Sequence, residues 1–142
     1  MTMTIKKALE ELSKFNIGLV EFLELFKNNF SLDYDLDNPD LEFLNEKIVF
    51  LIESLELTSK DIIYLNSPIK SEGEFRLAFN KIFINGDEIS DKVNLELFLD
   101  NKWYDSFINK KNNIFYFDGC PITEIMKNNN PLKARVRVYN YL

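Results

Sequence analysis

The chain has 142 residues, a net charge of −6, one cysteine and no histidine. This length bounds one domain or two very small ones. The missing imidazole removes Ser-His and Cys-His nucleophile chemistry and any zinc site built on histidine, and the lone Cys120 excludes an internal disulfide. No apolar run approaches the roughly 18 residues that span a bilayer. The segment MTMTIKKALEEL lacks the apolar centre of a secretion signal, so a cytoplasmic protein without a membrane partner is expected. Any catalysis would fall to Asp, Glu, Lys, Arg or Tyr. The four glycines are too dispersed for a phosphate loop. The expectation is a protein that is not an enzyme and uses neither cofactor nor metal.

Charge is spread unevenly. Residues 1–66 hold 6 Lys/Arg and 13 Asp/Glu, net −7, whereas residues 67–142 hold 11 and 10, net +1. Beyond Glu124 there are four cations and no acidic side chain. The acidic part repels phosphates and attracts basic surfaces, and one local basic edge remains for contacts of the opposite kind.

In chain order, Ile5, Ala8, Leu9, Leu12 and Phe15 stand at helical spacing, with Thr4 as a cap. Asn16-Ile17-Gly18 reads as the helix end, because Asn and Gly accept a left-handed conformation. Leu19, Phe22, Leu23 and Phe26 then form a second stripe, and the pair predicts a helix-turn-helix shape. On Leu9, Leu12, Asn16-Ile17-Gly18, Glu24 and Leu25-Phe26, residues 4–55 resemble the small helical module at the N-terminus of bacterial translation initiation factor two. That resemblance implies a recognition module rather than an activity. Glu21 and Glu24 against Lys27 alone weigh against nucleic acid on the second helix.

Asp33, Asp35 and Asp37 have the spacing of a calcium loop, but Asn38 stands where glycine is needed and Leu44 where a bidentate glutamate is needed. The plainer reading is a turn followed by a helix start, with Asn38 capping and Pro39 first in the helix. Leu41, Leu44, Ile48, Leu51, Ile52 and Leu55 predict a third helix. Phe43, Val49 and Phe50 widen its apolar face, so cover on more than one side is expected. Thr58-Ser-Lys-Asp61 resembles a capping box for a short fourth helix. Segment 67–73 reads as a linker on its Ser, Pro and Gly, giving a helical module over 1–66 and a β module over 74–142.

From Glu74 the apolar period becomes two, with Phe75, Leu77 and Phe79 on one face. Asn85-Gly86 signals a hairpin. Val93, Leu95, Leu97 and Leu99 open a three-stranded meander with turns near Asp100-Asn101 and within 109–113. Pro121–Lys127 reads as a helical turn and Lys133–Tyr141 as a final strand. The fold class is therefore α+β. The run LELFLDNKWYDSFINKKNNIFYFDG is similar to bacterial SH3-like modules, which implies a small closed barrel over 74–141. An open antiparallel sheet packed on the third helix fits the same pattern.

Lys133, Arg135, Arg137, Tyr139 and Tyr141 share one parity of the last strand. Cations interleaved with aromatics suit RNA phosphates and bases, or an acidic protein surface. A solvated strand whose tyrosines cover a neighbour gives the same pattern. Trp103 and Tyr104, with Phe115 and Tyr116, form an aromatic cluster that is either a ligand platform or core. Partner binding is thus assigned to Lys133, Arg135, Arg137, Tyr139, Tyr141, Trp103 and Tyr104. The partner expected is a larger protein or ribonucleoprotein, with RNA as the alternative contact of the C-terminal strand. Three roles fit. The first is an inhibitor or modulator of a nucleic-acid enzyme, in concrete form a phage-type anti-CRISPR protein against an RNA-guided effector or its guide RNA. The second is an RNA- or ribosome-associated accessory factor. The third is an acidic immunity protein against a toxin.

Overall fold

The computed structural model describes residues 2–29 and 38–140. It divides into two compact units, 1–66 and 67–142. The Asp33, Asp35 and Asp37 run and Tyr141 lie outside the described residues.

The first unit contains two helices, α1 (Ile5–Asn29) and α2 (Pro39–Asn66). The Thr4 hydroxyl accepts the Lys7 N–H at 3.1 Å, and Asn38 Oδ1 accepts the Asp40 N–H at 3.1 Å, so both starts carry side-chain caps. The turn expected at Asn16–Gly18 does not form, and α1 runs straight through it. Glycine inside a helix costs about 1 kcal/mol against alanine. A break there would undo the burial of Asn16 and Leu19 and the packing of half-buried Val20 and Leu23 on the same side. The expected boundary at Thr58 is absent for a different reason. The Thr58 hydroxyl donates back to the Ser54 carbonyl at 2.9 Å, one turn earlier, instead of capping a new helix. The four expected helices are therefore two, and the helix-turn-helix shape is replaced by a long hairpin. No helix among the described residues is long and apolar enough to cross a membrane.

The second unit is an antiparallel sheet of eight described strands: β1 (Ile69–Ala78), β2 (Lys81–Ile84), β3 (Asp87–Ile89), β4 (Val93–Leu99), β5 (Lys102–Lys111), β6 (Ile114–Phe117), β7 (Cys120–Pro121) and β8 (Lys133–Arg137). The order across the sheet is β3-β2-β1-β8-β4-β5-β6-β7. A short helix, α3 (Ile122–Asn128), links β7 to β8. The expected barrel is not closed, since the end strands β3 and β7 do not pair with each other. The expected linker is also structured: Ser67 and Ser71 are buried, and β1 begins at Ile69.

Five hairpin connections have two residues each, and both residues have positive φ in every one: Phe79-Asn80, Asn85-Gly86, Asp100-Asn101, Asn112-Asn113 and Asp118-Gly119. Such turns match the twist of the strands that they join. The strand period puts Val93, Leu95 and Leu97 of β4 on one face, with Phe75, Ile82, Ile108, Phe117 and Val136. Ile122 of α3 completes this single core. Ile89 of β3 and Phe117 of β6, far apart in the strand order, both belong to it, so the sheet curls around its own apolar face. The tips are tied as well: Asn80 donates to Asn113 Oδ1 at 3.4 Å, and Lys110 Nζ donates to the Asn80 carbonyl at 3.2 Å.

Candidate interaction face of the sheet

The outer face of β4 carries Asn94, Glu96 and Phe98, opposite in parity to the core leucines. Register sets Glu96 across from Arg135 of β8 and Phe98 across from Lys133. On the other side of β4, Phe98 pairs with Trp103 of β5. Directly opposed residues point to the same side of a sheet, so Lys133, Arg135 and Trp103 share this face.

Glu96 is only 5% exposed and sits between two guanidinium groups. Arg135 Nη2 donates to its Oε1 at 2.7 Å, and Arg137 Nε donates to its Oε2 at 2.8 Å. Arg137 Nη1 also donates to the Ser67 carbonyl at 2.9 Å, and Glu72 lies 3.7 Å from Arg135. A carboxylate removed from water requires such neighbours, because an unpaired buried charge costs several kcal/mol, on the order of 3–5.

With its edge held by Glu96, the Arg135 guanidinium lies 4.0 Å from the Trp103 ring centre. Lys133 Nζ lies 5.5 Å from the same ring and 5.7 Å from the Phe98 ring. Phe98 and Trp103 are themselves tilted against each other, with centroids 5.1 Å apart. Each cation–ring contact stabilises by about 0.5–2 kcal/mol, depending on exposure. The outcome is a lysine, an indole and a guanidinium gathered on one face, with the guanidinium held by Glu96. Exposed Asp105 and Phe107 continue it along β5.

Of the seven residues chosen from the sequence, the structure therefore brings Lys133, Arg135, Arg137 and Trp103 together. Tyr104 lies across from Leu97, on the opposite side of the sheet. Strand β8 ends at Arg137, and half-buried Tyr139 lies two residues past it, where its backbone N–H donates to the Ser67 hydroxyl at 2.7 Å. Phe115 is core, whereas Trp103 is only half-buried.

Sequence reasoning missed Glu96, whose partners are 39 and 41 residues away. It also set Phe79 on the apolar face with Phe75 and Leu77. Instead Phe79 is 95% exposed at a turn tip, with φ 52°. It lies beside a cleft of about 440 Å³ that Ile114 and Pro121 also line. Its signal was the dipeptide Phe-Asn in a chain whose other four such turns begin with Asn or Asp. No cluster of three or more potential metal ligands occurs among the described residues. No family model, curated protein or solved structure matches the chain.

Proposed function

We propose that this chain is a non-enzymatic binding protein that inhibits or modulates a larger nucleic-acid enzyme. In its concrete form it is a phage-type anti-CRISPR protein acting on an RNA-guided effector. The observation that carries this reading is the platform of Lys133, Trp103 and Arg135, in which buried Glu96 holds the Arg135 guanidinium against the indole. Side chains already fixed in one geometry lose little entropy on docking, and Trp and Arg are the residue types that dominate binding energy at interfaces. The strongly acidic composition of residues 1–66 supports a target with a basic, nucleic-acid-binding surface. The absence of histidine from the sequence agrees with a role without bond chemistry.

A second reading is contact with RNA through the same face, and the stacking geometry favours it. Bases stack on aromatic and guanidinium planes without regard to sequence. Both guanidinium groups already serve Glu96, so stacking rather than phosphate pairing would supply most of this contact. Capture of partners from lysate on immobilised chain, with and without ribonuclease, separates the two. A protein partner retained after ribonuclease supports the first reading, and one released by it supports the second.

A further inference from the structure

We infer that the helical unit associates with a second copy of itself, α2 against α2 in antiparallel fashion about a two-fold axis at Ser54. The unit buries little of its own apolar surface. Leu19, Ile62 and Tyr64 are its buried large apolar residues among those described, whereas Phe43, Phe50 and Leu57 of α2 stand exposed, as do Leu44, Leu51 and Leu65. Fully bare aromatic side chains present roughly 150–250 Å² each, so the named α2 residues, each about half exposed, leave on the order of 600 Å². A soluble monomer rarely shows a patch above about 300–600 Å², and a stable interface uses about 800 Å² per partner. The α2 stripe thus stands at the upper end of what a monomer leaves bare and supplies most of one side of a stable interface.

Spacing specifies the partner. Phe43, Phe50 and Leu57 repeat every seven residues, and so do Leu44 and Leu51, with Leu65 two heptads beyond Leu51. A seven-residue repeat keeps a stripe straight along a neighbouring helix. Between the two stripes run Lys47, Ser54 and Asp61, again at intervals of seven. An antiparallel two-fold centred on Ser54 sets Leu51 of one copy opposite Leu57 of the other, and Phe43 opposite Leu65. The same operation brings Lys47 towards Asp61 of the second copy, twice. At the axis stands Ser54, whose small side chain bonds back to the Phe50 carbonyl at 2.9 Å and lets the helices approach. One symmetry operation therefore pairs Leu51 with Leu57, Phe43 with Leu65 and Lys47 with Asp61, while Phe50 falls opposite the Thr58 methyl and Leu44 opposite the buried Tyr64. Two helical hairpins joined in this way form a four-helix bundle.

The test is the solution mass of the full chain by sedimentation velocity over a range of concentrations. The expected result is twice 16.8 kDa. Lys47→Glu sets like charges together and weakens the dimer by about tenfold or more, and adding Asp61→Lys restores it. This swap separates a lost charge pair from a misfolded helix. A monomer at every concentration overturns the inference, as does a mass that grows without limit. A monomer that captures a different polypeptide on this stripe, a dimer indifferent to Lys47→Glu, or a swap that fails to restore it would do the same.

Discussion

The Arg135 guanidinium stacks 4.0 Å from the Trp103 ring centre while its edge is bonded to Glu96 at 2.7 and 3.0 Å. One side chain thus joins a buried charge to a half-exposed aromatic surface. The stack is fixed by a residue that no partner needs to touch, and stability and recognition can be separated by mutation.

Glu96→Ala removes the carboxylate from between two guanidinium groups. Two mostly buried cations are then left facing each other, and the expected loss of stability is about 3–5 kcal/mol. A urea unfolding curve measures it as a fall in midpoint. Reversing Arg135 and Arg137 to Glu would instead gather three carboxylates at one point. Unfolding rather than selective loss of binding is expected of that double variant.

Trp103→Ala removes the platform but little of the core, because the ring is only half-buried. Partner affinity should fall by about thirtyfold or more, the scale of an interface hot spot. Lys133→Glu, at an exposed position, should also weaken capture, with only about 1 kcal/mol of stability lost from its two exposed ring contacts. Tyr104→Ala lies on the other side of the sheet and should leave capture as it was. Equal loss from Tyr104→Ala would move the interface off the outer face.

Phe79 holds a left-handed backbone at full exposure, a conformation that a bulky residue adopts only under strain. Strain of this kind is of order 1–3 kcal/mol, and Asn relieves part of it. Phe79→Asn should therefore raise stability by about 0.5–1 kcal/mol, because Asn is a favoured first residue of this turn. A lower thermal midpoint in that variant would show that Phe79 packs against something that its exposure does not reveal.

Gly73 sits where β1 passes the β2–β3 turn. A Cβ there would stand 2.8 Å from the Asn85 Cβ, at a φ of 156° that side chains rarely adopt. Gly73→Ala should cost about 1–3 kcal/mol, measured by the same unfolding curve. Gly86→Ala meets no atom within 4 Å and isolates the backbone term at a left-handed turn position.

Much of the sheet was legible in the sequence because its signals are local. Asn85-Gly86, Asp100-Asn101 and Asp118-Gly119 mark turns on their own, and Val93, Leu95, Leu97 and Leu99 recur at every second residue. The helices were misdivided by equally local signals. Asn16-Ile17-Gly18 and Thr58 carry end-of-helix chemistry; burial of Asn16 and Leu19 carries α1 past the first, and the Thr58 hydroxyl bonds back to the Ser54 carbonyl at the second. The candidate face was half legible. Cations at every second residue of β8 gave Lys133, Arg135 and Arg137, but no local pattern shows that Glu96 would take two of them. That pairing follows from β8 lying beside β4, which is set by the chain's long return through α3.

The most direct test is capture of a nucleic-acid enzyme from host lysate on the immobilised chain, run beside Trp103→Ala and repeated after ribonuclease. The proposed function predicts one large nucleic-acid-processing protein, retained after ribonuclease and lost with Trp103→Ala. A wild-type chain that retains no such protein, or retains it equally well without the indole, would contradict it.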